Sequence, residues 1–103
     1  MKLVRDKIPE IIEKSGSWAL CRSIYGRDEH LDFLKLKMIE EVDEFLDDPC
    51  LEEAADIYEV FRQLLILNNL VFEDVVYAAT NKRHEKGGFS NGVILQEVGK
   101  NKD

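Results

Sequence analysis

Apolar residues recur at steps of three and four through Leu31, Leu34, Met38, Val42 and Phe45. That spacing puts them on one face of an amphipathic helix starting near Asp28 or Glu29. The helix ends at Asp47-Asp48-Pro49, because a residue before proline avoids the helical region and proline has no donor for a helix interior. Pro49 suits the first position of the next helix, with Asp48 as its N-cap. This second helix runs to about Asn68, with Ala54, Ile57, Val60, Phe61, Leu64, Leu65 and Leu67 on a broad apolar face. A third runs from about Leu70 to Glu85, with Phe72, Val75, Val76 and Ala79 inward and Gly87-Gly88 closing it.

The ends of the chain are less regular. Ile8 to Lys14 forms a short helix stopped by Ser15-Gly16-Ser17. Ala19 to Tyr25 is either a short strand or an irregular connection, and Val93-Ile94-Leu95 is a short strand turned by Asn91-Gly92. Long helices joined by a short turn pack antiparallel. The expected fold is therefore mainly all-α, a helical bundle in one domain over residues 1–103, with short irregular or strand segments at both ends.

Composition narrows the chemistry. Hydrophobic residues make up 45% and charged residues 34% of the chain, the balance of a globular protein. Fourteen basic and 21 acidic residues give a net charge of -7, which argues against a nucleic-acid polymer as partner. No apolar run reaches the roughly 18 residues of a membrane helix, and the N-terminus lacks a signal peptide's apolar stretch, so no membrane association and a cytoplasmic location are expected. Cys21 and Cys50 lack C-x-x-C spacing and lie far in sequence from His30 and His84; two reduced, partly buried thiols are expected rather than a zinc site.

The acids give the strongest signal. Glu40, Glu41 and Glu44 form E-E-x-x-E on the first long helix, and at about 100° per residue they share a face. Glu41 and Glu44 lie at the edge of the apolar stripe; Glu29, Asp32, Asp43 and Asp47 take surface or terminal roles. On the second helix Glu53 and Asp56 fall in the sector of Ile57, Val60 and Leu64, toward the partner helix, while Glu52 and Glu59 face solvent. Ala54 and Ala55 leave room there for close helix approach or a ligand. Antiparallel packing through Asp48-Pro49 brings Glu44 near Glu53 and Glu41 near Asp56. Four converging carboxylates raise one another's pKa values or need a hard cation, and oxygen-only ligation selects magnesium, manganese or calcium. E-E-x-x-E alone is also what the solvated face of a charged helix looks like; the inward Glu53 and Asp56 shift the balance to a metal site. There is no EF-hand loop.

Magnesium on protein carboxylates keeps positions open for water and phosphate oxygens, which makes a triphosphate the natural ligand. Lys82, Arg83 and Lys86 could meet its charge, although cations at a helix C-terminus also complement the dipole. Lys37 is a further candidate, equally explained as an i, i+4 partner of Glu41. Gly87-Gly88 matches neither a P-loop nor G-x-G-x-x-G, and no nucleophile motif is present, leaving metal-assisted attack by water.

Glu40-Glu41-x-x-Glu44 followed by Glu53-x-x-Asp56 resembles the E-E-x-x-E, spacer, E-x-x-D signature of the MazG-like all-alpha nucleotide pyrophosphohydrolases. Lys2-Leu3-Val4-Arg5-Asp6-Lys7-Ile8-Pro9-Glu10 and Lys86-Gly87-Gly88-Phe89 resemble a branch described as similar to phosphoribosyl-ATP pyrophosphohydrolase. These segments cover most of the chain, and the spacer between Glu44 and Glu53 is shorter than in many MazG proteins. The resemblance implies hydrolysis of a nucleoside triphosphate to monophosphate and pyrophosphate, with Mg2+ (or Mn2+) on Glu41, Glu44, Glu53 and Asp56. It implies a catalytic set of Glu40, Glu41 and Glu44, Glu40 binding a second ion or orienting water; the general base stays unassigned. Arg5 and Lys7 would reach the nucleotide or a neighbouring subunit in a homodimer or homotetramer. The alternatives are phosphoribosyl-ATP hydrolysis and a non-catalytic acidic helical module.

Overall fold

A computed structural model describes residues 1–101. Its elements are four helices: α1 (Ile8–Lys14), α2 (Arg27–Asp47), α3 (Leu51–Leu67) and α4 (Phe72–Lys86). The fold is all-α, and no strand forms among the described residues. The segments at Ala19–Tyr25 and Val93–Leu95 stay irregular because a strand needs a partner to ladder with. The turn beside the second of them does form, Gly92 N–H donating to the Phe89 carbonyl at 3.3 Å with Gly92 at φ 62°.

The chain divides into two compact units, Met1–Phe72 and a second beginning at Glu73. The first is built on the α2–α3 hairpin. At one end of α2 the Arg27 guanidinium donates to the Leu67 carbonyl at the far end of α3 (3.2 and 2.8 Å), which fixes the antiparallel sense. It also satisfies a carbonyl that the last turn of α3 leaves free. α3 closes in a Schellman motif: Leu70 N–H donates to Leu65 O at 2.9 Å and Asn69 N–H to Ile66 O at 3.1 Å, with Asn69 left-handed at φ 57°. At the N-terminus of α2 the Glu29 carboxylate accepts from Tyr25 N–H (2.9 Å) and Arg22 (2.7 Å). Those bonds, Arg22's first, hold the Glu29 pKa below the usual carboxylate range.

The turn between α2 and α3 differs from the sequence expectation. Asp48 does not cap α3; its N–H closes α2 on the Glu44 carbonyl at 3.0 Å, and its backbone leaves the helical region at φ -139° and ψ 79°, as a residue before proline favours. Pro49 therefore lies in the connection, and Cys50 becomes the N-cap of α3, without a side-chain cap bond.

The core is small. Leu34, Val60 and Leu65 are its buried apolar residues, and Glu41 is buried with them at 5% exposure. Leu31, Met38, Val42, Phe45, Ile57, Phe61, Leu64 and Leu67 surround these half-buried, while Ala54 and Ala55 are exposed. In α4, Phe72 and Val75 are half-buried, but Val76 and Ala79 are exposed rather than inward, since the second unit has one helix and no second apolar layer. Both thiols, Cys21 and Cys50, are exposed and free, not partly buried. No helix is long and apolar enough to cross a membrane among the described residues.

Candidate metal centre

Glu41 follows Leu34 by seven residues, two turns on the same stripe, so a carboxylate enters the α2–α3 contact where the pattern calls for an apolar side chain. The sequence placed it at the edge of that stripe; the structure puts it in the middle. Glu53 and Asp56 approach it from α3, three residues apart on one face. Carboxylate oxygens of Glu41, Glu53 and Asp56 lie within 4.8 Å of one another, and a second group of the same spread joins Glu40, Glu41 and Glu44. Glu41 belongs to both. Glu44 is exposed and groups with the acids of its own helix, while Glu41 lies close to Asp56, as the antiparallel packing predicts, and to Glu53 as well.

At the 4.8 Å bound two like charges repel by about 3.5 kcal/mol at an effective dielectric of about 20, so three carboxylates, if all ionised, would cost on the order of 10 kcal/mol before compensation. That rivals the whole stability of a small domain. Compensation comes from two cations. Lys37 Nζ stands 3.2 Å from Glu41 and 3.5 Å from Glu40, and Arg5 Nη2 donates to Asp56 Oδ1 at 2.8 Å. They do not reach every oxygen: Glu41 Oε2 and Glu53 Oε2 are buried without a hydrogen-bond partner. An orphan carboxylate oxygen in a protein interior is costly unless a cation completes it.

The protonation states follow. Burial pushes the Glu41 pKa up; Lys37 opposes this, and the fields of Glu44 and Asp56 add to it. Burial works against charged Lys37, but its bond to Glu41 and the fields of Glu40 and Glu41 prevail, holding its pKa above the ordinary lysine value.

Comparison with protein-family models, with curated proteins and with solved structures yields no match. The chemistry rests on the residues themselves.

The donor set fits a hard divalent cation. All five acids offer oxygen, and neither group contains histidine or cysteine. Opposite ligands around magnesium stand about 4.2 Å apart and around calcium about 4.6–5.2 Å, and oxygens within 4.8 Å of one another are close enough to share either ion.

Beside the acids lies a cavity of about 390 Å³, within the range of small-molecule sites. Glu41 and Asp56 form one part of its wall with Lys37, Leu34 and Val60 are apolar walls, and His30 and Gln63 add polar groups. The segment Leu3–Asp6 also lines it. Sequence reading missed His30, Gln63 and Glu59 as lining residues, and it assigned Glu59 to solvent, whereas Glu59 is half-buried at the cavity. The available signal was position: Val60 and Gln63 continue the Asp56 stripe at i+4 and i+7.

Lys7 is exposed at the start of α1 and holds no ion pair among the described residues. Lys82, Arg83 and Lys86 are exposed on the last turns of α4, in the second unit.

Proposed function

We propose that this chain is a magnesium-dependent, MazG-like pyrophosphohydrolase that cleaves a nucleoside triphosphate to its monophosphate and pyrophosphate. The observation that carries the reading is Glu41: a buried carboxylate shared by two acid groups, with an orphan oxygen, opening on a cavity flanked by Lys37 and Arg5. Glu41, Glu53 and Asp56 would hold one ion, and Glu40, Glu41 and Glu44 a second. Bound there, divalent ions supply charge neutralisation of the phosphates and a lowered pKa for coordinated water.

The chain's own residues do the rest. Lys37 and Arg5 offer positive charge to phosphate oxygens, Arg5 with forked geometry. Leu34 and Val60 provide apolar surface for the nucleoside, away from water. Glu40, half-buried at the edge of the cluster and paired with Lys37, would bind the second ion or orient the water that attacks the α-phosphorus as the bridging oxygen leaves with pyrophosphate. Exposed apolar residues on both hairpin helices, Ile39 and Leu46 on α2 with Leu51 and Tyr58 on α3, support assembly into a homodimer or homotetramer. Two free cysteines fit a reducing cytoplasm and a role in clearing the nucleotide pool.

The test is incubation with canonical and modified triphosphates plus Mg2+, with the released phosphate identified. Pyrophosphate is expected, and its release is expected to vanish with EDTA and in Asp56→Asn. Orthophosphate as product, or cation-independent turnover, refutes the proposal. Pyrophosphate from phosphoribosyl-ATP alone moves the substrate to that compound.

A further inference from the structure

The segment before α1 has no regular structure, and among the described residues the backbone bonds of residues 1–7 run only into the start of α1, from Ile8 to Arg5 and from Ile11 to Lys7. Side chains hold it to the hairpin. Leu3 and Val4 are half-buried, and two cations reach the acids: Arg5 to Asp56 at 2.8 Å and Lys2 to Glu40 at 4.0 Å. Each acid belongs to one of the two groups that Glu41 joins. Leu3–Asp6 line both the 390 Å³ cavity and a second cavity of about 700 Å³. The segment borders two cavities and is fastened at two of the acids that would hold a divalent ion.

We infer that residues 1–7 form a strap fastened by Arg5 and Lys2 standing in for divalent cations, and that ion binding frees Arg5 from Asp56 to take a phosphate of the ligand. The inference rests on the metal reading above. Its physical basis is competition for one carboxylate: Asp56 Oδ1 cannot offer the same lone pairs to a guanidinium and to an ion. The fastening is weak enough to yield, because Arg5 and Asp56 are each more than a third exposed and such pairs are screened by water. Once released, the guanidinium stays on the wall of the cavity, and its fork matches two phosphate oxygens.

The experiment titrates MnCl2 calorimetrically into the full, nucleotide-free chain as wild type, Arg5→Gln and Lys7→Gln, and follows amide exchange at residues 4–6. Freed of a competitor worth at most a weak surface pair, Arg5→Gln is expected to bind Mn2+ about 2- to 5-fold more tightly than wild type, while Lys7→Gln, with the same loss of charge but no ion pair, stays within about 1.5-fold. In wild type, Mn2+ speeds exchange at residues 4–6, and inorganic tripolyphosphate added with the ion slows it again; in Arg5→Gln exchange is fast throughout. Wild type that binds no Mn2+ overturns the metal reading itself. Mn2+ bound equally by wild type and Arg5→Gln, or exchange that Mn2+ does not change, overturns the strap and leaves the metal reading standing. Tripolyphosphate that fails to slow exchange overturns the assignment of Arg5 to phosphate.

Discussion

Glu41→Gln separates a metal-binding carboxylate from a structural one, because the two roles predict opposite signs without the ion. The amide keeps the shape and removes the charge. In the ion-free protein it abolishes the repulsion of Glu53 and Asp56, each about 3.5 kcal/mol at the 4.8 Å bound and an effective dielectric of about 20, while the exposed Glu44 and the Lys37-paired Glu40 add less through water. It also forfeits the attraction of Lys37 at 3.2 Å, about 5 kcal/mol on the same scale. The difference favours glutamine by about 2 kcal/mol, and by less once Arg5 has partly neutralised Asp56, so roughly 1–2 kcal/mol remains. At about 4–8 °C per kcal/mol the variant in EDTA is expected to melt roughly 5–15 °C above wild type. Magnesium reverses the order. At about 100 times its dissociation constant an ion that binds only the folded chain adds about 2.7 kcal/mol, which wild type gains and Glu41→Gln loses. Thermal melts followed by circular dichroism, with EDTA and with Mg2+, give all four values. A variant that melts lower than wild type in EDTA, or one that gains as much from Mg2+, refutes the reasoning.

Three further outcomes follow from the same geometry. Because the folded Glu41 pKa is raised, the folded state holds that proton more tightly; the associated stability is present at low pH and lost as pH rises through the raised value. A cation needs the deprotonated form, so Mn2+ affinity should fall with decreasing pH while still above 4.5, the ordinary glutamate value; an affinity constant down to that value contradicts the burial of Glu41. Asn69→Val, which forces a β-branched residue into the left-handed conformation, is expected to cost about 1–2 kcal/mol in urea unfolding, whereas Asn69→Gly costs less than about 0.5 kcal/mol. Leu34→Ala opens a cavity in a core with few buried residues and is expected to cost about 2–4 kcal/mol, with a loss under about 1 kcal/mol showing that the hairpin does not depend on this contact.

The helices were legible because their apolar spacing is long and regular, and α1 and α2 fall where that spacing and the glycine and proline breaks put them. The connection was not. The Asp48-Pro49 pair suits either a helix end or a helix start, and only the Asp48 N–H closing on Glu44 shows that α2 takes it. Angular counting also brought Glu41, Glu53 and Asp56 toward one another, but it could not rank them by depth. A helical wheel gives direction around an axis; whether Glu41 or Glu44 is the deep one depends on the rotation of α2 against α3, which local spacing leaves free.

The cations of the centre show the limit more sharply. Lys37 shares a helix face with Glu41, so its position was fixed by the same period that fixed the acid. Arg5 stands 51 residues from Asp56 in an irregular segment, and a pairing of that kind leaves no periodic trace. The basic run Lys82, Arg83 and Lys86 is visible because it is a run, while the guanidinium that meets the acids is a single residue among mixed charges. Periodicity therefore displays ligands carried on helices and hides those brought in by extended chain. In an acidic cluster the hidden partners matter most, since the repulsion is relieved only by counter-charges or by protonation. Where the acids of a hairpin are legible and their counter-charges are not, the irregular segments of the same unit are the first place to search.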